Sequence, residues 1–341
     1  MSNYILRRLF QGIPTFFGVT IIAFVLMMTA PGDPVSLITF GPQSNPEMAN
    51  ALRRQLGLDQ PVLHQYVFWL LGNDWIMLDT TGDGEPDSYG QRLGLLRGDL
   101  GNSINQRQPV AKLIAERIPA TLLLTFTALI VGYGVGILLG VLAAAYHRTW
   151  VDQVVRLISV IGNAVPTFWL GLVLIIIFSI QQGILPMSGM RDISRRGGFD
   201  LLETIRHMIM PVSVLSLGTI AFVSRFTRTE ILEVMEQDYV RTARAKGLRE
   251  RHVWFQHTLK NALLPVATFL GPGLGNLLSG AVIIEQVFSW PGMGRLVVNA
   301  VFQRDYPIVM GSVVVASALF IIGVLLSDIL YSWLDPRISF R

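Results

Sequence analysis

The sequence predicts an all-α polytopic membrane protein with six transmembrane helices and a large loop between the first and second of them. Of its 341 residues, 51% are hydrophobic and only 15% are charged, which leaves too few charges to cover a soluble domain of this length. Six apolar stretches approach the roughly 20 residues that are needed to cross a bilayer. None of the six contains Asp, Glu, Lys or Arg.

The first stretch is expected to be a retained signal-anchor helix. Arg7 and Arg8 precede it, as in a signal peptide, but its apolar run is too long, and Pro-Gly-Asp-Pro follows instead of a small-residue cleavage site. The six predicted spans are Leu9 to Ala30, Pro119 to Tyr146, Leu157 to Ile180, Met208 to Ser224, Ala262 to Ile284 and Ile308 to Ser327.

The distribution of Lys and Arg predicts that both termini are cytoplasmic. In this orientation the inner segments carry 14 basic residues and the two short outer loops carry six, as the positive-inside rule requires. The basic residues of the long loop from Pro31 to Arg117 are left out of this comparison, because loops beyond about 60 residues cross the membrane whatever their charge. It is therefore predicted to be extracytoplasmic, and the segment from Arg225 to Asn261 to be cytoplasmic.

Small residues at four-residue spacing predict closely packed helices. The second span has Gly132, Gly136, Gly140 and Ala144 on one face, and the fifth repeats the pattern with Gly271, Gly275 and Ser279. In the third span Pro166 is expected to kink the helix. Asn163 and Asn276 either line a pathway or bond across helices, since an amide within the bilayer needs a partner or water.

The sequence argues against several classes of transporter and enzyme. The chain has no cysteine, and the Gly-Lys pair of a phosphate-binding loop never occurs. An ion-coupled carrier usually has ionisable groups near the midplane, whereas Glu285 and Asp328 fall at span ends, where capping or interfacial solvation is the default expectation. The chain is therefore expected to be non-catalytic, with any work of uphill transport supplied by another subunit; a stand-alone channel or carrier is the rival.

The cytoplasmic segment contains a short polar helix with a ridge of small side chains. Val240, Ala243 and Gly247 fall at helical spacing, and Arg241, Arg244 and Lys246 flank them. Gly247 permits a left-handed C-cap. Such a ridge suits insertion into a groove on another protein. The alternative, a helix on the membrane surface, fits less well because the ridge lacks large apolar residues.

These motifs resemble the permease subunits of ABC importers in the dipeptide, oligopeptide and nickel branch. The resemblance covers nearly the whole chain. Its cytoplasmic signature, the EAA loop, corresponds to the segment from Tyr239 to Leu248 followed by Asn261-Ala-Leu-Leu-Pro265, although Arg241 and Thr242 stand where the general pattern begins with Glu. Further matching stretches are Leu-Arg-Arg-Leu at 6–9, Pro31-Gly-Asp-Pro34, Gly98-Asp-Leu-Gly101, Ser289-Trp-Pro-Gly-Met-Gly294 and Arg304-Asp-Tyr-Pro307.

The resemblance implies a type I ABC importer permease fold and a set of partners. It implies an N-terminal transmembrane helix at 1–30, an extracytoplasmic subdomain at 31–118 and a five-helix core at 119–335 with a coupling loop at 225–261. The partners would be a second homologous permease, two cytoplasmic ATPases that bind ATP and Mg²⁺, and an extracytoplasmic binding protein, in a prokaryotic inner membrane and without nucleic acid. Peptides are the expected substrates, with nickel, glutathione or oligosaccharide as alternatives.

Two groups of site residues follow from this comparison. The ATPase-coupling helix would comprise Asp238, Tyr239, Arg241, Thr242, Ala243, Arg244, Ala245, Lys246, Gly247 and Leu248. Candidates for the pathway or its gate are Asn163, Pro166, Trp169, Asn276, Glu285, Trp290, Pro291 and Gly292. For the segment around Trp290, the alternative to a gate is an interfacial anchor, because Trp favours that depth.

The outer loop contains a weak calcium candidate. Asp79, Thr81, Asp83 and Asp87 have the spacing of a D-x-D-x-D-G loop, with Gly84 at its turn. The twelfth position is Gly90 rather than the bidentate Glu of an EF-hand. A solvated Gly- and Asp-rich turn is therefore the favoured interpretation. The preceding segment at 51–71 is expected to be helical.

Overall fold

A computed structural model describes residues 2–30, 35, 49–50, 53–54, 57–79, 85–191, 200–270 and 281–334. The chain divides into two compact units. One consists of Met1–Ile118 and Leu296–Ile321, and the other of Pro119–Arg295 and Ile322–Arg341. The α-helices are α1 Ser2–Thr29, α2 Val62–Leu71, α3 Val110–Ala145, α4 Trp150–Ala164, α5 Thr167–Leu174, α6 Leu201–Met235, α7 Asp238–Ala245, α8 at 250–268, α9 Met293–Phe302 and α10 Tyr306–Leu334.

Four helices in the described ranges are long and apolar enough to cross a membrane: α1, α3, α6 and α10. Helices α4 and α5 would form a fifth span, but they are bent by 103° at their junction. The kink expected at Pro166 is thus a full break, with Val165 extended and Pro166 preceding the first residue of α5. The predicted fifth span is helical at 260–268 and 281–287, and residues 271–280 lie outside the described part, so six spans remain a prediction.

Two segments of the described chain are π-helical. Helix α5 continues as a π-helix over Ile175–Gln181, and the middle of α8, Val253–Leu259, is also π-helical. Helix α8 passes through Pro265 without a break and ends at Thr268. π-helical turns are rare and often lie at functional sites, which draws attention to α8 because it follows the predicted coupling helix.

The first unit contains the one pair of strands in the described residues. Met77–Leu78 (β1) and Ser88–Tyr89 (β2) pair antiparallel, so the all-α expectation is wrong for this hairpin. The predicted helix at 51–71 is confirmed for Val62–Leu71. Arg97 closes the base of the hairpin, because its Nη1 donates to Asp74 Oδ2 at 2.8 Å. This bond lowers the pKa of Asp74 below its ordinary value.

Asp305, in the Arg304–Pro307 motif, is hydrogen-bonded to a segment near the start of α3 within the first unit. Its buried carboxylate accepts hydrogen bonds from Ser103 Oγ at 2.5 Å and from the backbone N–H of Asn105 at 3.1 Å. The N–H of Val110, at the start of α3, donates to Gly101 O at 3.0 Å. The Arg304–Pro307 stretch is therefore hydrogen-bonded to residues 103–105, which follow the Gly98–Gly101 stretch, and a buried carboxylate needs such donors.

The Gly face of α3 packs against α6 in the second unit. A Cβ atom added to Gly132 would lie 2.8 Å from Thr219 Cβ, one on Gly136 would lie 2.8 Å from Val223 Cβ, and one on Gly140 would lie 2.6 Å from Thr227 Cβ. Ala144 continues the series and packs in a cluster with Ile231. Four small residues thus face Thr219, Val223, Thr227 and Ile231, which are also four apart, and the predicted close packing is confirmed.

Replacing Gly140 with alanine should destabilise the second unit, because the new methyl group would overlap Thr227 and the carbonyl of Ser224. We expect a loss of about 1–3 kcal/mol, as for other overpacked sites. Gly134 on the same helix has nothing within 4 Å of its added Cβ, so G134A should instead raise stability by about 0.5–1 kcal/mol. Unfolding midpoints in detergent would measure both, and equal signs for the two variants would contradict the packing.

Candidate functional site

Helix α7 lies in the middle of the segment that is predicted to be cytoplasmic, Arg225 to Asn261. Its first turn begins at Gln237, whose carbonyl accepts hydrogen bonds from the N–H groups of Val240 and Arg241 at 3.0 and 3.2 Å. It ends in a Schellman motif: Leu248 N–H donates to Ala243 O and Gly247 N–H to Arg244 O. Gly247 has φ +73°, which confirms the predicted left-handed cap.

The small-residue ridge of α7 packs inside the chain. Val240 and Ala243 are buried in one cluster with Val253 of the π-helical turn. The expectation that these side chains insert into a groove on another protein is therefore wrong. The amphipathic pattern correctly indicated a buried face, but α8 of the same chain covers it.

The opposite face of α7 is exposed and mostly polar. Arg244 forms an ion pair with Glu250, whose Oε1 lies 3.0 Å from Arg244 Nε. Arg241 Nη1 lies 3.8 Å from Asp238 Oδ1. Two apolar side chains, Tyr239 and Leu248, are exposed at the two ends. The exposed members of the predicted coupling helix are Asp238, Tyr239, Arg241, Thr242, Ala245, Lys246, Gly247 and Leu248.

Asn261 joins the two halves of the cytoplasmic signature. Its Nδ2 atom donates to Tyr239 Oη at 3.2 Å and to His257 O at 3.0 Å. Asn261 belongs to the Asn261–Pro265 motif, and nothing in the sequence indicated this contact. With the packing of Val240 and Ala243 against Val253, this bond attaches the first turn of α7 to α8.

An ion-pair cluster at the α3–α4 turn was also missed by sequence analysis. Asp152 is buried and accepts from Arg228 Nε at 2.7 Å and Nη2 at 2.8 Å. Arg156 Nε lies 3.5 Å from the same carboxylate, and the N–H of Arg148 donates to it at 3.1 Å. This bidentate geometry is the strong form of an Arg–carboxylate pair, and it ties α4 to α6 within the predicted cytoplasmic region.

Of the pathway candidates in the third span, the structure places Asn163, Pro166 and Trp169 around the bend between α4 and α5. All three are exposed. Their roles remain predictions. Asn276, like Gly271, Gly275 and Ser279, lies outside the described residues.

Glu285 is a buried carboxyl group at the centre of the second unit, with 0% of the residue exposed. The expected interfacial solvation is therefore wrong. Its Oε1 accepts a hydrogen bond from Thr121 Oγ1 at 2.6 Å, and its Oε2 accepts one from Arg295 N–H at 3.0 Å. A Cβ on Gly292 would overlap the Glu285 carboxylate, so glycine is required there.

The segment around Trp290 folds back over Glu285. Trp290 is fully buried, so the interpretation of this residue as an interfacial anchor is wrong. Its indole Nε1 donates to Ala120 O at 2.8 Å, and Met293 N–H donates to Thr121 Oγ1 at 2.8 Å. Arg295 Nη1 donates to Ser289 O at 2.8 Å. These hydrogen bonds hold the segment in place. The structure therefore brings together Glu285, Trp290, Pro291 and Gly292, which the sequence had suggested as candidates for the pathway or its gate.

The calcium candidate lies at the tip of the β-hairpin. Asp79 and Asp87 flank the tip, whereas Thr81 and Asp83 lie outside the described residues. The flanking elements are strands rather than the helices of an EF-hand. Within the described ranges, no group of three or more His, Asp or Glu could hold a metal ion, and calcium binding stays a prediction.

Comparison with known protein families identifies the family to which the chain belongs. The family described as the inner membrane component of binding-protein-dependent transport systems matches residues 136–340. Its N-terminal region, described for the same transport systems, matches residues 1–125. The chain belongs to this permease family.

Relatives of this permease match it from end to end. It is 39% identical over 345 residues to an oligopeptide transport system permease of Bacillus subtilis, with 100% of both chains covered. It is 40% identical to a di/tripeptide transport system permease of Pseudomonas aeruginosa, with 99% of both covered. A glutathione transport system permease of Escherichia coli is 37% identical over the full length of both.

Solved structures support the fold of the permease. A chain of the methionine ABC transporter MetNI, in inward-facing conformations, matches with a TM-score of 0.51 and 17% identity, over 66% of this chain and 97% of that chain. At this identity the similarity shows a shared fold only. The resemblance to ABC importer permeases inferred from the sequence motifs is thus confirmed.

Proposed function

We propose that the chain forms half of the translocation pathway of an ABC importer for di- and oligopeptides. It would pair with a second homologous permease and two cytoplasmic ATPases, and receive substrate from an extracytoplasmic binding protein. Six transmembrane helices with both termini in the cytoplasm, and the division at 1–30, 31–118 and 119–335, are part of this proposal. Membership of the permease family and the long apolar helices support it.

The peptide assignment rests on the relatives. Two full-length relatives are named for oligopeptides and di/tripeptides. The glutathione relative supports a second candidate substrate, and glutathione is itself a modified tripeptide. Competition between labelled dipeptide, tripeptide and glutathione for uptake by the reconstituted importer would separate the two.

The exposed face of α7 is the observation that carries the coupling role. A short helix that is attached to α8 along one side and presents Arg241, Thr242 and Lys246 on the other is suited to docking on a second protein. We propose that this polar face, rather than the Val240–Ala243 ridge, seats in the ATPase, with Tyr239 and Leu248 as apolar contacts. ATP and Mg²⁺ would bind to the partner, and this chain would hold no nucleotide.

Thr242→Glu tests this docking face. Thr242 is exposed and its hydroxyl only back-bonds to Asp238 O at 2.8 Å, so the substitution should leave α7 folded while placing a bulky carboxylate on the docking surface. Co-purification of the ATPase from cells that express the complete importer should fall at least tenfold, which corresponds to about 1.4 kcal/mol. Peptide uptake should be lost with it.

Thr229→Glu is the matched control. Thr229 is also exposed, lies on α6, and back-bonds to Arg225 O at 3.1 Å, so the chemical change is the same outside the docking face. The T229E importer should retain its ATPase at the wild-type level. Equal retention of the ATPase by both variants would contradict the assignment.

A further inference from the structure

The first compact unit contains a cavity of about 90 Å³. The last turns of α1 line it with Phe24, Met27 and Met28, and α2 contributes Gln65 and Trp69. By volume it holds roughly six to nine water-sized groups, since one water needs about 10–15 Å³ on this measure. The cavity therefore has room for a small polar headgroup and not for a folded segment.

Two buried polar atoms beside this cavity have no hydrogen-bond partner in the described part of the chain. They are Gln65 Oε1 and Trp69 Nε1. The Gln65 amide is already oriented, because its Nε2 donates to Gln60 O at 2.7 Å. The Trp69 ring is packed against Phe24 and Tyr66, with ring centroids 6.2 and 5.6 Å apart. One unsatisfied acceptor and one unsatisfied donor thus lie at the cavity, where buried polar groups ordinarily have partners.

Arg92 adds a partly buried cation to the same lining. Its backbone N–H donates to Asn73 Oδ1 at 2.9 Å, but among the described residues its guanidinium makes no ion pair and no hydrogen bond. The carboxylate of Asp99 is the nearest compensating charge, yet its oxygens already accept from the N–H groups of Gly101 and Leu93, at 2.8 and 3.1 Å. Burial lowers the pKa of Arg92, and Asp99 opposes that shift.

The residues of α1 that line the cavity lie near one end of its candidate span, where the hydrocarbon core of a bilayer would meet the headgroups. The apolar stretch of α1 that could cross the membrane is Phe10–Thr29, and Phe24, Met27 and Met28 belong to its last two turns. Trp69 is a residue type that favours this depth. On the outward side of the same turns, Ile22 and Leu26 are exposed by 61% and 64%, as expected for contact with acyl chains. Phospholipid headgroups are permanently present at this level.

We propose that this cavity binds the headgroup of a membrane phospholipid. The phosphate would lie against the Arg92 guanidinium and the Trp69 N–H, and a hydroxyl or ammonium of the headgroup would donate to Gln65 Oε1. Arg is suited to this role because its planar fork binds phosphate through two hydrogen bonds.

Arg92→Met tests the site in the full-length chain purified in mild detergent. Phosphatidylethanolamine and phosphatidylglycerol would be added, and bound lipid counted by native mass spectrometry. The wild-type chain should retain one phospholipid at this site, and R92M at least tenfold less. Without lipid, R92M should melt at the same temperature as wild type or higher, because it removes an uncompensated partly buried charge. Arg107→Met, at an exposed position of the same unit, should retain lipid normally.

Trp69→Phe provides a second variant that keeps the ring packing against Phe24 and Tyr66 while deleting the N–H donor. It should reduce lipid retention at least threefold. Inorganic phosphate and glycerol 3-phosphate at millimolar concentration distinguish a lipid from a soluble anion. If either raises the melting temperature of the wild-type chain as much as phospholipid does, the lipid assignment is overturned. Equal lipid retention by R92M and R107M would overturn the site altogether.

Discussion

Replacing Glu285 with alanine is expected to destabilise the second compact unit by about 3 kcal/mol or more. The variant would remove the acceptor of Thr121 Oγ1 and of Arg295 N–H, and a buried donor left without its partner costs about 1–3 kcal/mol. A cavity would also replace a fully buried side chain. The unfolding midpoint of the purified chain in detergent, followed by tryptophan fluorescence, measures the effect and also reports on the environment of Trp290.

Glu233→Ala and Thr121→Val complete this experiment. Glu233 is exposed on α6 in the same unit, so E233A should change stability by no more than about 0.5 kcal/mol. Thr121→Val keeps the shape of the side chain but removes the hydroxyl that donates to Glu285 and accepts from Met293 N–H. Because both variants break the same bond, E285A and T121V should be less than additive. An E285A midpoint equal to that of E233A would show that Glu285 does not hold this segment.

Replacing Ala243 with arginine is expected to detach α7 from α8 and abolish coupling. Ala243 packs with Val240 and Val253, so a guanidinium there would force the two helices apart. Overpacking costs about 1–3 kcal/mol, which lowers the free energy needed to open α7 by that amount. Since 1.36 kcal/mol is a factor of ten, the amides of α7 should exchange hydrogen about five- to 150-fold faster. ATP-driven peptide uptake should be lost while the chain still inserts into the membrane.

Ala245→Arg is the matched control for the detached helix. Ala245 lies two residues further along the same helix but is exposed, so A245R should leave the exchange rates of α7 at the wild-type level. If A243R lost coupling while its α7 amides stayed fully protected, Ala243 would have to contact the partner directly. That result would contradict the packing against Val253.

The sequence predicted the helices and their close approaches better than it predicted their partners. Four-residue Gly spacing in α3 predicted a close neighbour, and the structure has one. The spacing could not predict that Thr219, Val223 and Thr227 of α6 would face those glycines. Small residues allow another helix to approach closely, but they do not indicate which helix it is. The Val240–Ala243 ridge shows the same limit, since an amphipathic pattern indicates that one face is buried without indicating what buries it.

The environments of the charged residues depend on contacts between positions far apart in the chain. Glu285 follows directly after an apolar stretch, which suggested solvation, but Thr121 lies 164 positions away and closes over it. Asp152 and Arg228 are 76 positions apart. A signal for Glu285 was available in Gly292 and Gly294, because two glycines so close together allow a backbone to approach a side chain. Asp152, the one acid between Arg148 and Arg156, gave a similar hint.

The facing rows on α3 and α6 restrict how these two helices could ever slide past each other. Each of these glycines on α3 receives a branched side chain from α6, and the match recurs only after four residues, a displacement of about 6 Å at 1.5 Å per residue. Any smaller displacement along the axis would drive methyl groups into backbone. We therefore expect α3 and α6 to move together as one rigid pair rather than to slide along each other.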